Sequence, residues 1–213
     1  MSKFFNLDSP VMRFMTKVAD IMILNLLFVI TSLPVFTIGA SLTALYSVAM
    51  KLVRDEESGI FHSYFHAFKM NFRQSTVFWL GTVVVFIVVI LDMLILARID
   101  SPIAAAMNTG VFILGVFLLM VCQYIFPLVA KFDAGILQTL KNACLMAVAH
   151  LPKTILITAF VAGCGVITFY SSHTIYAAAI IWTFIGFGLV AVANSAILLK
   201  IFERYIHKES KEM

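Results

Sequence analysis

Five polar side chains lie within otherwise apolar stretches of this sequence. They are Asp20, Asn25, Asp92, Gln123 and Asn194. A polar group at membrane depth is costly, so each is a candidate for binding an ion or solute or for joining helices. Asp92 lies about two helical turns from Arg98 and Asp100, and it is the strongest candidate for a proton or cation site. A purely structural carboxylate is the alternative for this residue.

The other four residues have simpler interpretations. Asp20 lies within one turn of Lys17, so we expect an interfacial ion pair between these two side chains. Side-chain amides commonly bridge packed membrane helices through hydrogen bonds. We therefore expect Asn25, Gln123 and Asn194 to join helices rather than to contact a substrate.

No arrangement of residues predicts an enzyme. The sequence contains no G-x-x-x-x-G-K-[ST] run that would hold the phosphates of a nucleotide. His62 and His66 have a spacing that can bind a metal, but without an intervening Glu or a third ligand a solvated polar face is favoured. The three cysteines are widely separated and form no C-x-x-C pair, which is typical of small buried residues. We expect no catalytic residue, no metal and no cofactor.

The composition predicts a membrane protein. The chain is 62% hydrophobic and 12% charged, with a mean hydropathy of +1.02, whereas soluble domains are near half apolar. Uncharged runs include 21–50, 76–91, 102–130 and 154–199, and about 20 apolar residues suffice to cross a bilayer. Backbone polar groups must be satisfied within lipid, and the runs lack barrel alternation, so the spans are helices. The net charge of +4 then suits a membrane surface and does not indicate nucleic acid.

We predict one all-α membrane domain over residues 1–213, a bundle of six transmembrane helices. The spans are 18–33, 35–53, 76–97, 104–128, 153–170 and 174–199. The first two are the least certain, because Leu33-Pro34 interrupts a stretch too long for one crossing and short for two. In the alternative there are five crossings, and 35–53 is re-entrant or lies beneath the membrane.

The distribution of basic residues favours six spans. With six spans both termini are cytoplasmic, and of the 15 basic residues only Arg98 lies outside, as the positive-inside rule requires. The five-span alternative moves Lys3, Arg13 and Lys17 across the membrane as well. We therefore expect a multi-pass protein whose two longer connections face the cytoplasm.

Both of these connections are predicted to form interfacial amphipathic helices, over 58–73 and 131–151. In the first, aromatic residues recur with helical spacing beside basic ones, which is typical of a helix that rests on lipid or docks on a partner. The candidate docking face comprises Phe61, Tyr64, Phe65, Phe68, Lys69, Phe72 and Arg73.

Two stripes of small residues predict close contacts between helices. One begins at Gly39 and continues through Thr43 and Ser47, and the other begins at Gly188 and continues to Ser195. Small side chains let helix backbones approach each other within a membrane, which is their usual role there.

Several segments near the start of the chain carry a family resemblance. They are Leu24-Asn25-Leu26-Leu27, Ser32-Leu33-Pro34-Val35-Phe36-Thr37-Ile38-Gly39-Ala40, Ala44-Leu45-Tyr46, Lys51-Leu52-Val53-Arg54-Asp55-Glu56 and Tyr64-Phe65-His66-Ala67-Phe68-Lys69-Met70-Asn71-Phe72-Arg73-Gln74. Together they strongly resemble the YesL-like family of uncharacterised bacterial integral membrane proteins. The rest of the chain is compatible with that family.

The resemblance implies a bacterial plasma-membrane protein whose relatives are often encoded beside carbohydrate ABC importers and sugar-responsive regulators. It supplies no catalytic or ligand-binding residue. The leading hypothesis is an accessory or scaffolding subunit that contacts the permease or ATPase of such an importer. The alternatives are a self-contained small-solute or ion-coupled transporter, and a membrane sensor of sugar utilisation. Besides the lipid bilayer, a second copy of the chain is a further possible partner.

Overall fold

The computed structural model describes residues 10–56 and 59–212, and helices make up nearly all of this part of the chain. They are α1 (Pro10–Thr31), α2 (Ile38–Val53), α3 (Ile60–Leu96), α4 (Pro102–Lys131), α5 (Ile136–Ala149), α6 (Leu151–Phe169), α7 (Ser172–Ile181) and α8 (Phe187–Glu212). A 3₁₀ turn, Val35–Thr37, precedes α2, and a π-helical turn, Trp182–Gly186, joins α7 to α8. Six helical stretches are long and apolar enough to cross a membrane, which confirms the all-α polytopic class.

The longest helix corrects one predicted boundary. The predicted interfacial helix 58–73 and the predicted span 76–97 belong to a single helix, α3, of 37 residues. No Gly or Pro lies between the two segments, so nothing in the sequence ends the helix there. Residues 57 and 58 lie outside the described part of the chain. The second interfacial helix does form a separate element, α5, although residue 131 belongs to α4 and residue 151 to α6.

Charged residues from distant parts of the chain meet at one end of the bundle, here called the inner end. Nζ of Lys17 lies 2.5 Å from Oδ1 of Asp55, and Nη2 of Arg54 lies 3.7 Å from Oε1 of Glu203. The first residues of α1 and the last of α2 therefore share one end, and the two helices form an antiparallel hairpin. This contradicts the five-span alternative, which places Lys17 across the membrane from Asp55.

The opposite, outer end carries the α3–α4 and α6–α7 turns. Which side of a cell membrane the inner end faces stays a prediction, and residues 1–9 and 213 lie outside the described part.

The well-packed core lies toward the inner end. One buried cluster joins α1, α2, the start of α3 and α8, and includes Leu24, Leu45 and Tyr64. A second joins α4, α5 and α8, and includes Tyr124 and Phe202. Of the buried residues of α3, all but Val89 lie between residues 63 and 78. The exposed apolar surface of the outer half is thus left for lipid to cover.

Two glycines allow the close helix contacts that the small-residue stripes predict. A Cβ atom on Gly39 would fall on the backbone carbonyl of Ser75 and 2.6 Å from Cβ of Trp79. A Cβ atom on Gly188 would lie 2.9 Å from the carbonyl oxygen of Ile21. The axes of α2 and α3, and of α8 and α1, approach this closely only because these side chains are absent.

We expect Gly39→Ala to lower the free energy of unfolding by about 1–3 kcal/mol, the usual result of overpacking a tight contact. Thermal unfolding of the purified protein in mild detergent measures this. Gly81→Ala is the matched control, since a Cβ atom there meets nothing within 4 Å. Equal melting temperatures for the two variants would contradict the close contact.

Candidate interaction surface

The first part of α3 has one side that is already occupied. Ser63, Tyr64 and Ala67 are buried against the α1–α2 hairpin. The hydroxyl of Tyr64 lies 2.6 Å from Oγ1 of Thr31, and it donates a hydrogen bond of 3.5 Å to the carbonyl of Ser41. Tyr64 was predicted to belong to the docking face, but it fastens α3 to the hairpin instead and is not available to a partner.

Of the other residues in the predicted docking face, some are exposed and some are half-buried. Phe61 and Phe65 are 58% and 48% exposed, and Lys69 and Arg73 are exposed as well. These four residues, Phe61, Phe65, Lys69 and Arg73, are called the α3 surface below. Phe68 and Phe72 are half-buried, with ring centroids 5.5 Å apart. The exposed set places two aromatic rings beside two cations.

Helical geometry explains why the sequence pattern included Tyr64. At 100° per residue, Tyr64 lies about 60° to the hairpin side of Phe61, within the span of a normal apolar face. Spacing alone cannot tell which edge of that face is covered. The available signal was the phenol itself, because a buried tyrosine hydroxyl needs a hydrogen-bond partner such as Thr31.

Helix α5 provides a second exposed surface at the inner end. Its buried residues include Thr139, Ala143 and Met146, whereas a set of apolar and polar residues at its start lines an open groove of about 650 Å³. This set, called the α5 surface below, comprises Gly135, Ile136, Leu137, Gln138, Lys141 and Asn142. Nε2 of Gln74 donates a 2.8 Å hydrogen bond to the carbonyl of Ala134, which holds the start of α5 beside α3.

Asn25 joins α1 to the π-helical turn of the last helix. Its Nδ2 donates to the carbonyls of Trp182 and Thr183, at 3.0 and 2.7 Å. Its Oδ1 accepts a 2.9 Å bond from the backbone N–H of Gly188. A π turn displaces the helical bonding register and leaves backbone groups to be satisfied from outside. Asn25 is fully buried, and its amide supplies both a donor and an acceptor to these backbone groups.

Gln123 and Asn194 also make interhelical bonds. Nε2 of Gln123 donates to Oγ1 of Thr158, at 3.0 Å, and so joins α4 to α6. Nδ2 of Asn194 donates to the hydroxyl of Tyr46 at 3.5 Å, a longer bond between α8 and α2. The three amides thus contact protein groups on neighbouring helices, in line with the expectation that they join spans.

The two aspartates are placed differently from their predicted environments. Lys17 pairs with Asp55 of the α2–α3 connection rather than with Asp20, because Asp55 takes a left-handed conformation (φ 54°) that ends α2 beside α1. Asp92 lies on the exposed side of α3 among exposed apolar residues such as Leu91 and Ile95. It faces away from the bundle interior, where a coupling-ion site would be expected.

No metal site is apparent in the described part of the chain, which holds no group of three or more His, Cys, Asp or Glu side chains able to share an ion. The rings of His62 and His66 lie 6.1 Å apart on the exposed side of α3. At the inner end the described residues include exposed apolar side chains and cations.

Comparisons with known proteins agree with the sequence resemblance. The model of the family described as "Protein of unknown function, DUF624" matches residues 21–93. Over 197 residues, which are 92% of this chain and 90% of the other protein, the chain is 23% identical to "Uncharacterized protein YesL" of Bacillus subtilis (strain 168). No solved structure matches the chain. The resemblance to the YesL-like family is thereby confirmed.

We expect Asn25→Leu to lower the free energy of unfolding by about 1–3 kcal/mol, because it leaves backbone groups of the π turn buried without partners. Asn71→Leu is the control, since Asn71 bonds only the carbonyl of Ala67 within its own helix. Thermal unfolding in detergent compares the two variants. A loss no larger for Asn25→Leu than for Asn71→Leu would show that the π turn does not depend on this amide.

Proposed function

We propose that this chain, a YesL-like membrane protein, is a non-enzymatic accessory or scaffolding subunit of a carbohydrate ABC import system. The observation that carries the proposal is the pair of exposed surfaces at the inner end, the α3 surface and the α5 surface. The resemblance supports the kind of partner, since relatives of this family are often encoded beside such importers.

The α3 surface has the composition of a protein contact site. Aromatic residues and arginine are enriched in interfaces, and a few such residues usually supply most of the binding energy. Phe61 and Phe65 stand one helical turn apart, and the long side chains of Lys69 and Arg73 continue the same surface. The adjacent side of the helix is held by Tyr64, so the surface is presented rigidly, which lowers the entropy lost on binding.

The α5 surface suits a groove-and-helix contact with a cytoplasmic ATPase. A short helix with exposed apolar residues, here Ile136 and Leu137, is a common recognition element. Both ends of α5 are anchored: Gln74 bonds the linker before it, and Oγ1 of Thr154 in α6 donates to the carbonyl of Ala147 at 3.2 Å. A helix held at both ends between two membrane helices can transmit movement between a partner and the bundle.

The position of Asp92 weighs against a self-contained ion-coupled transporter. That alternative relied on a carboxylate inside the bundle, whereas Asp92 lies on the exposed side of α3. The sensor alternative lacks a recognisable output domain in the sequence. It predicts that deleting the gene alters transcription of sugar genes while sugar uptake stays intact, and the accessory-subunit proposal predicts impaired uptake.

Co-purification of the tagged protein from its host in mild detergent tests the proposal. We expect the permease and ATPase of a sugar importer to accompany it. The double variant Phe61→Ala with Phe65→Ala should reduce their recovery by about tenfold or more, equivalent to about 1.4 kcal/mol of binding free energy. The matched control is Val84→Ala with Ile87→Ala, which removes similarly exposed side chains from the outer half of α3.

Recovery of the wild-type protein without any importer subunit would overturn the proposal. If both double variants reduced the recovery of importer subunits equally, the α3 surface would not be the binding site.

A separate prediction concerns Asp92. Because its carboxylate lies outside the bundle interior, Asp92→Asn should leave sugar uptake by whole cells unchanged. Uptake of radiolabelled sugar measures this, with cells lacking the gene as the reference. A loss of uptake matching that of the deletion would instead support an ion-coupled transporter.

A further inference from the structure

Contacts with α3 place the α1–α2 hairpin along the first part of that helix. Near the base of the hairpin, Nζ of Lys51 donates to Oγ of Ser63, at 3.3 Å. Near its tip, Thr43 and Ser75 share a 2.7 Å hydrogen bond, and Gly39 packs against Ser75 and Trp79. Helix α3 then continues from residue 80 to Leu96, about 25 Å beyond the last of these contacts.

The last helix also extends past the hairpin. Asn25 contacts Trp182 and Thr183, and the ring of Phe28 lies 5.0 Å from that of Phe187. Helix α7 begins ten residues before Trp182, about 15 Å away. Helix α1 runs on for only six residues after Asn25, about 9 Å. Helix α1 itself therefore ends about 6 Å short of the start of α7.

Charge decides where the hydrocarbon lies along α3. Residues 76–91 carry no charge, whereas Lys69 and Arg73 are exposed on the preceding part. If the hairpin crossed the membrane, the part of α3 beside it would cross as well. Lys69 and Arg73 would then enter the hydrocarbon, at about 2.5–3.5 kcal/mol for each residue near its centre. The uncharged segment 80–91 would be left in water.

The α4–α5 linker marks the inner boundary near the same position. Gln74 bonds the carbonyl of Ala134 in that linker, and the next residue of α3, Ser75, contacts Gly39. The first turn of α2 thus lies close to the level where α4 leaves the membrane, and residues 76–96 of α3 lie beyond it. The tip of the hairpin reaches only part of the way across.

The composition of the tip fits lipid rather than water. Leu33, Val35 and Phe36 are 74%, 68% and 55% exposed, and no charged residue accompanies them. The α3–α4 turn at the outer end, in contrast, contains Arg98 and Asp100. A tip that faced water would present consecutive apolar side chains without a charged neighbour, whereas the same side chains are favourable in hydrocarbon.

Part of the backbone of the tip forms hydrogen bonds within the turn, which lowers the cost of placing that part in lipid. Oγ1 of Thr37 lies 2.6 Å from both the carbonyl of Thr31 and that of Pro34, to which it can donate. The backbone N–H of Thr37 also donates to the carbonyl of Pro34, at 2.9 Å. Pro34 itself has no N–H to satisfy. Oγ of Ser32, which also belongs to the turn, is buried without a hydrogen-bond partner.

We propose that the α1–α2 hairpin is re-entrant: it enters the bilayer from the inner end, turns within the hydrocarbon, and presents Leu33, Val35 and Phe36 to lipid acyl chains. The helices that cross completely are then α3, α4, α6 and the continuous helix from α7 into α8. Both ends of the hairpin stay on one side, so the basic residues keep their distribution. The inference does not depend on the proposed function.

Cysteine accessibility tests this topology. In a protein whose native Cys122, Cys144 and Cys164 are replaced by Ala, single cysteines are introduced as Val35→Cys at the tip, Ile99→Cys at the outer turn and Glu56→Cys at the inner end. A charged, membrane-impermeant maleimide is applied to intact cells and to inverted vesicles. Ile99→Cys and Glu56→Cys should react from opposite sides.

The tip variant should react from neither side, at least about tenfold less than the two reference variants, because a charged reagent does not enter hydrocarbon. Reaction of Val35→Cys from the side that labels Ile99→Cys would show that the hairpin crosses. Reaction from the side that labels Glu56→Cys would place the hairpin beneath the membrane. Either result overturns the proposal.

A second measurement distinguishes lipid from protein as the cover of the tip. A small membrane-permeant nitroxide attached to Val35→Cys should collide more with oxygen, which dissolves in lipid, than with a polar nickel chelate. The nitroxide on Ile99→Cys should show the opposite preference. Low collision rates with both agents at the tip would mean that protein covers it, and the assigned lipid contact would be wrong.

Discussion

At 1.5 Å per residue the 37 residues of α3 measure about 55 Å, whereas the hydrocarbon of a bilayer is about 30 Å thick. Roughly 25 Å of this helix must therefore lie outside the hydrocarbon. The charged residues Lys69 and Arg73 determine that the excess lies at the inner end. This projecting part of α3 carries the exposed α3 surface, and the hairpin lies beside it. The packed core is therefore concentrated toward the inner end.

Inside the membrane the helices are held by close approach and by a few hydrogen bonds. Helices gain little from the hydrophobic effect when lipid surrounds them, so contact between backbones and satisfied polar groups matter more. Gly39 and Gly188 provide the contact. Asn25 sits beside Gly188 and completes the hydrogen bonds of the π turn. The region around Asn25 and Gly188 therefore holds α1 against the last helix both by close backbone contact and by hydrogen bonds.

The sequence was sufficient for the fold class, because long uncharged runs indicate membrane helices. It did not predict that α1 begins at Pro10, that α3 is continuous from Ile60 or that α8 continues to Glu212. It was insufficient where the answer depends on distance between elements. Helical spacing alone does not distinguish Tyr64, which is buried against the hairpin, from the exposed Phe65 beside it. The pairing of Lys17 with Asp55 required knowing that α2 ends beside α1. The depth of Asp92 was predictable from its position, but its direction around α3 was not.

The family resemblance coincides with one structural unit. Residues 21–93 cover the second half of α1, all of α2 and nearly all of α3, and the segments that carry the resemblance contain Asn25, Thr37, Gly39, Tyr64 and Gln74. Each of these residues has a defined contact: with the π turn, within the tip, against α3, against the hairpin, or with the α4–α5 linker. This segment thus contains the contacts that hold the hairpin against α3.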